Sequence, residues 1–228
     1  MHLSVSDDVL VCTTILLGVV AIFGPAYADK FKAWLTAPKL SLLVHNGPPA
    51  CHKTQMAFAV LNTAGREPAF VYRLQVHNGQ GVQAQKAEVV LEGLWMADST
   101  DSYHPYPRFT PVQLLWGSGQ DEFVNINPGR DFYCDLFTVP SARLQSIQSQ
   151  AGSYVNYPTA PAFPLGIVLS VKTAFFSQPN RLGPGKYRLD LAIYSENAPT
   201  LRSTVFVVWS GNWKDTEDKM FRECVLSQ

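Results

Sequence analysis

Apolar and polar positions divide this chain into two regimes. From Val9 to Ala28 it runs VLVCTTILLGVVAIFGPAYA, twenty residues without a charge. At about 1.5 Å per residue such a run makes roughly 30 Å of helix, the thickness of a hydrocarbon core. Only a helix satisfies its own backbone there, because lipid offers no partner to an open N–H or C=O. Residues 9–28 are therefore expected to form one transmembrane helix behind a leader of residues 1–8, with Pro25 in its last turns. Residues 29–38 continue as a juxtamembrane segment. Tyr27, Phe31 and Trp34 fall at headgroup depth, Phe31, Trp34 and Leu35 turn toward lipid, and Pro38 ends the segment.

Beyond Pro38 the pattern becomes short apolar runs punctuated by Gly, Pro, Asn and Ser, which predicts a β-rich domain over residues 39–228. Strands are expected at Lys39–His45, Met56–Leu61, Val71–His77, Ala87–Leu94, Leu114–Trp116 and Glu122–Ile126. Asp131–Val139, Leu165–Phe176, Lys186–Tyr194 and Leu201–Trp209 complete the set. Strict alternation in Val71–His77 sends Tyr72, Leu74 and Val76 inward and Arg73, Gln75 and His77 outward. Tyr187, Leu189, Leu191 and Ile193 share one face in the same way. Trp95–Arg108 reads as irregular, and Lys214–Cys224 as a short C-terminal helix docked by Met220, Phe221 and Cys224.

Turn chemistry adds a resemblance. Val76-His77-Asn78-Gly79 with Ala87-Glu88-Val89, then Asn127-Pro128-Gly129, then Pro184-Gly185-Lys186-Tyr187, resembles immunoglobulin-like sandwiches of bacterial surface and membrane proteins. The first two segments are similar to an element of the cell-adhesion-related (CARDB) domain. Asn-Gly supplies the positive φ of a tight turn, and Pro-Gly starts the next strand. The resemblance spans about residues 39–210 and implies an all-β fold, an immunoglobulin-like antiparallel β-sandwich on a single-pass anchor. It also implies that Tyr187 caps a sheet corner through its hydroxyl. Such domains usually stand outside the cell, and the Gly211-Asn212-Trp213 end and the long middle loop depart from their pattern.

Charge bears on partners and on direction. Eighteen basic and eighteen acidic residues cancel, so there is no electrostatic footprint for a polyanion, and general nucleic-acid binding is not expected. The leader carries Asp7 and Asp8 and no Lys or Arg, whereas Lys30, Lys32 and Lys39 follow the apolar run. The positive-inside rule then gives a single-pass inner-membrane protein with its domain in the cytoplasm. Ala26-Tyr27-Ala28 competes with that reading, because it has the form of a signal-peptidase site and allows export after cleavage following Ala28. Cys51, Cys134 and Cys224 are widely spaced and are expected as free thiols, although an exported domain could close one bridge among them.

Candidate chemistry is sparse. Asp98, Asp101 and His104 share a loop without the sharp-turn Gly or bidentate Glu of a calcium site, and Cys51-His52 lacks zinc spacing, so no metal is expected. Nucleophile elbow, H-E-x-x-H and phosphate-loop patterns are absent from the sequence; Gly183-x-Gly185 precedes a strand and not a helix. No catalytic residue and no cofactor are expected. Tyr103, Tyr106 and Phe109, interleaved with Pro105, Pro107 and Pro111, are the candidate partner-binding residues. Such rings on rigid prolines stack on sugars or grip a peptide, or else they cover one open end of the sandwich. Trp95, Trp116, Trp209 and Trp213 read as core or rim packing. The expected function is a membrane-tethered, non-catalytic protein-interaction module, with the bilayer and another protein as partners. The alternatives are an exported carbohydrate- or envelope-binding domain, and an enzyme whose site is assembled from scattered residues.

Overall fold

The structure, a computed structural model, describes residues 27–28, 32, 34–60, 63–117, 122–143, 166–172 and 180–228. The expected transmembrane helix of residues 9–28 lies outside the described residues except for its last two. Residues 27, 28, 32 and 34–36 are helical. Among the described residues no helix is long and apolar enough to cross a membrane.

From Leu40 onward the described residues are mostly β, in two seven-stranded antiparallel sheets. Sheet one is built on β3 (Thr63–Asn78). Along one side of it run β1 (Leu40–Val44) and then β2 (Cys51–Val60), paired from Leu40↔Asn78 to Val60↔Thr63. The other side holds β9 (Arg130–Pro140), flanked in turn by β7 (Leu115–Trp116) and by β10 (Ile167–Leu169) with β11 (Arg181–Leu182). Sheet two runs β14 (Cys224–Ser227), β13 (Leu201–Trp209), β12 (Gly185–Tyr194), β4 (Ala84–Ala97). Three short strands lie along β4: β5 (Tyr103–Pro105), β6 (Val112–Gln113) and β8 (Val124–Ile126).

Alternation sets the core as the sequence predicts. Tyr72, Leu74 and Val76 of β3 and Tyr187, Leu189, Leu191 and Ile193 of β12 are buried in one apolar cluster. Each such side chain contributes about 1.5–3 kcal/mol. Trp116 and Trp209 are fully buried, and the Trp116 indole N–H donates to the carbonyl of Ala87 at 3.2 Å, bonding β7 of sheet one to β4 of sheet two. Several expected elements differ: β2 starts at Cys51 and not at Met56, and β3 at Thr63 and not at Val71. The terminal helix is α1 (Glu217–Glu223), after which Cys224 and Leu226 turn inward and the chain pairs with β13 as β14. Within Leu165–Phe176 the described strand is only Ile167–Leu169, and residues 173–176 lie outside the described residues. The span Trp95–Arg108 is partly ordered, because β4 continues to Ala97 and β5 folds back on it.

Two side chains close what the strands leave open. In the jog between β1 and β2, the Asn46 amide donates to the Leu226 carbonyl at 2.6 Å and accepts from its N–H at 2.8 Å. It takes the place of a neighbouring strand at the edge of sheet two. The Tyr187 hydroxyl donates to the carbonyl of Gly183 at 2.9 Å, the corner contact that the resemblance implies. Asn46→Ala leaves both Leu226 groups unpaired and is expected to lower stability by about 1–3 kcal/mol in urea unfolding; an unchanged midpoint would remove the edge-cap assignment. Cys51, Cys134 and Cys224 are free and buried, and burial pushes the Cys51 thiol up to about 11. Intact-mass counting should find these three thiols unlabelled in the folded protein and fully alkylated after unfolding without reductant.

Candidate interaction surface

The outer face of sheet two is where polar and aromatic side chains are held in fixed positions. On β12 and β13, Arg188, Asp190, Thr204 and Phe206 fall between inward residues and point away from the core. On β4 the register slips, since Asp190 pairs with Gly93 but Leu191 pairs with Leu91. Glu92 is therefore the extra residue of a bulge, and beyond it Trp95 faces outward while Leu94 stays buried. Gly93 makes the room: a Cβ there would stand 3.0 Å from both Asp190 Oδ2 and Trp95 Nε1.

Asp190 organises this face. Its Oδ2 accepts from Trp95 Nε1 at 2.7 Å and from Arg188 Nη2 at 2.9 Å, and its Oδ1 accepts from Thr204 Oγ1 at 3.0 Å. Burial pushes the carboxyl up, but bonds from Arg188, Thr204 and Trp95 outweigh it and hold Asp190 below the usual carboxylate range. The Arg188 guanidinium lies over the Trp95 ring, 4.4 Å from its centroid. Tyr103 packs against Phe206 with centroids 5.8 Å apart, and Lys186 pairs with Asp101 at 2.6 Å. On the far side, Glu92 accepts from the Tyr194 hydroxyl and from Arg202 Nε.

The three rings singled out in the sequence are divided. Tyr103 joins this face. Tyr106 is half-buried beside Tyr187 at 6.5 Å, and Phe109 packs against the core, so these two cover an end of the sandwich. The loop carboxylates are engaged as well. Asp98 accepts from the N–H groups of Thr100 and Ser102 and pairs with His104 at 2.9 Å, while Asp101 turns to Lys186. Among the described residues no group of three or more His, Cys, Asp or Glu is placed to hold a metal ion. Trp116, Trp209 and Trp213 pack in or against the core as expected, but Trp95 does not.

A second polar cluster lies on the outer face of sheet one. Arg73 Nη2 stands 2.8 Å from His52 Nε2, and its Nε is 3.4 Å from Asp135 Oδ1. Burial, then the neighbouring Arg73 charge, lowers the His52 pKa, whereas burial raises that of Asp135. Cys51 and Cys134, next in sequence to His52 and Asp135, are buried in the core.

No protein-family model matches the sequence, and no curated protein matches it either. The site therefore rests on its geometry.

Asp190→Asn is expected to lower stability by about 1 kcal/mol, a modest figure because the Arg188–Asp190 pair is a third exposed. The folded carboxyl titrates below the unfolded one. Its contribution is thus complete above the unfolded pKa and disappears as pH falls through the folded pKa. Stability measured against pH should therefore lose part of its acid-side fall in the Asn variant. An acid limb identical to wild type would show that Asp190 is not held by these bonds.

Proposed function

We propose that this chain is a membrane-tethered, non-catalytic protein-interaction module of immunoglobulin-like architecture, which engages its protein partner through the outer face of sheet two. The Trp95–Arg188–Asp190 assembly carries the reading. Trp, Tyr and Arg dominate interface energetics when they are desolvated by a partner, and side chains already held in place lose less freedom on binding. Trp95 under Arg188, and Tyr103 against Phe206, on an open pleated surface suit a protein partner more than a small ligand. The sugar-binding alternative requires Tyr103, Tyr106 and Phe109 on one surface, and the burial of the last two disfavours it.

Three observations support the architecture and the tether. The Tyr187 corner bond is one. Asn78, the last residue of β3, is fully buried and donates to the carbonyls of Val82 and Ile126, both at 3.0 Å; it anchors the turn that follows, whose positive φ falls at Gly81 and not, as the sequence suggests, at Asn78-Gly79. The third is the exposure of Tyr27, at the end of the uncharged run, and of Trp34 and Leu35 after it, at 67%, 69% and 56%. The lysine bias favours an inner-membrane protein with its domain in the cytoplasm; a C-terminal topology reporter tests this against export after Ala28.

The binding reading is tested by cross-linked pull-down from native membranes with wild type and Trp95→Ala. A stoichiometric partner should be recovered by wild type and lost at least about tenfold by the variant, since truncating a central anchor of this kind costs about 2 kcal/mol or more. Equal recovery by both proteins would remove the sheet-two face from the proposal.

A further inference from the structure

Residues 36–39 are welded to one end of the sandwich. The Val82 N–H donates to the Thr36 carbonyl at 2.8 Å, the Lys39 N–H to the Gln80 carbonyl at 3.1 Å, and the Gly79 N–H to the Lys39 carbonyl at 3.0 Å. Lys39 Nζ adds a bond to Gln80 Oε1 at 3.1 Å. Gly81, at φ +88°, allows the approach: a Cβ there would lie 2.3 Å from the Ala37 carbonyl oxygen and 2.5 Å from that of Thr36. The β3–β4 turn is itself fixed, because the buried Asn78 side chain holds Val82 and Ile126, and the Gly129 N–H donates to the Asn78 carbonyl. Residues 36–39 are thus part of the domain and not a loose tether.

Exposed apolar side chains gather at this same end. Of the large hydrophobic residues left open to solvent, Trp34 and Leu35 immediately precede Thr36, Val82, 46% exposed, is bonded to Thr36, and Tyr27 precedes them in the chain. Lys32 and Lys39 stand among them in sequence, and Arg130 is exposed where β9 pairs with Asn78. Amphipathic rings, aliphatic tips and basic residues are the mixture that settles at a membrane–water interface. The uncharged run Val9–Ala28 leads into this surface.

We infer that this end of the sandwich is a bilayer-seating surface: the β3–β4 turn lies in the headgroup layer with Val82 beside Trp34 and Leu35, and the domain stands upright on its anchor. The occupant is a lipid surface, and the inference rests on the tethered reading above. Strand β4 leaves the membrane at Ala84 and reaches Trp95 eleven residues on, roughly 35 Å at about 3.3 Å per residue. The Trp95–Arg188 face then opens sideways, well clear of the lipid, and the Asp98–Ser102 loop lies at the distal end.

The test uses the full chain reconstituted into vesicles of phosphatidylcholine with phosphatidylglycerol, bearing an environment-sensitive fluorophore on Val82→Cys or, distally, on Ser99→Cys. The unsubstituted protein, treated identically, gives the background. Both positions are exposed enough for the substitutions to leave the fold intact, and circular dichroism confirms that. The expected result is blue-shifted emission at Val82, quenched several-fold more strongly by brominated lipids than emission at Ser99, in protein that resists alkaline carbonate extraction. Water-like emission at Val82 in carbonate-resistant protein overturns the seating surface and leaves the anchor standing. Release of the protein by carbonate overturns both.

Discussion

A sandwich of two open sheets presents edges, and each edge strand carries a row of backbone N–H and C=O groups that must be paired, covered or left to water. The way this chain closes its edges organises the rest of the molecule. At one side Asn46, in the jog between β1 and β2, serves both backbone groups of Leu226 and so links sheet one to the edge of sheet two. The start of β2 is covered in turn from the other sheet's tail. Glu217 of α1 accepts from the Lys53 N–H at 2.8 Å, and Lys53 Nζ reaches Asp215. At the opposite side the chain passes from β6 to β7 through buried Leu114, and the indole of Trp116 reaches across to Ala87. These edges are closed by specific contacts, which leaves the two outer faces and the two ends of the sandwich as the surfaces on which function can be placed.

The outer faces are not equivalent. Most ion pairs on them are exposed, as with Lys186–Asp101 and Arg202–Glu92, and contribute little to stability on their own. The Asp190 cluster differs in kind, because one carboxylate accepts from an indole, a guanidinium and a hydroxyl on three adjacent strands. Such an arrangement fixes orientation more than it adds stability. Trp95 cannot rotate without abandoning Asp190, and Arg188 is held to both of them.

How much of this could be read in the sequence depended on the range of the interaction involved. Val71–His77, Lys186–Tyr194 and Leu201–Trp209 were legible because one face of each is buried over several residues, which imprints a period of two. The Tyr187 corner was legible through the Pro-Gly turn that precedes it. Strands of two or three residues, such as β6, β7 and β11, carry no period at all and exist through pairing with β4, β9 and β10. The last strand goes unread in the sequence, where the expected helix ends at Cys224, because its partner, β13, is local in space and not within its own window of sequence. Tyr103 parted from Tyr106 and Phe109 for the same reason: pairing of β5 with Trp95–Ala97 takes the first ring onto the sheet, and the next turn sends the other two to the core.

Trp95 is the instructive case, since its outward position follows from a single extra residue. Without the bulge at Glu92, the alternation that buries Leu91 would bury Gly93 and Trp95 and would turn Leu94 to solvent. A strand-interior glycine is the one local sign of such a break, and Gly93 is where it stands. Gly81 carries the same kind of information at the other end of β4, where a Cβ would collide with the carbonyls of residues 36 and 37. One glycine lets the indole and the carboxylate meet on the open face; the other lets residues 36–39 lie against the domain. β4 therefore joins the proposed binding face to the proposed seat through one continuous strand, with its ladder to β12 keeping the two in fixed relation. On the proposed seat, a partner meeting this face would encounter a surface already oriented with respect to the bilayer, which would remove part of the rotational freedom that association otherwise has to overcome.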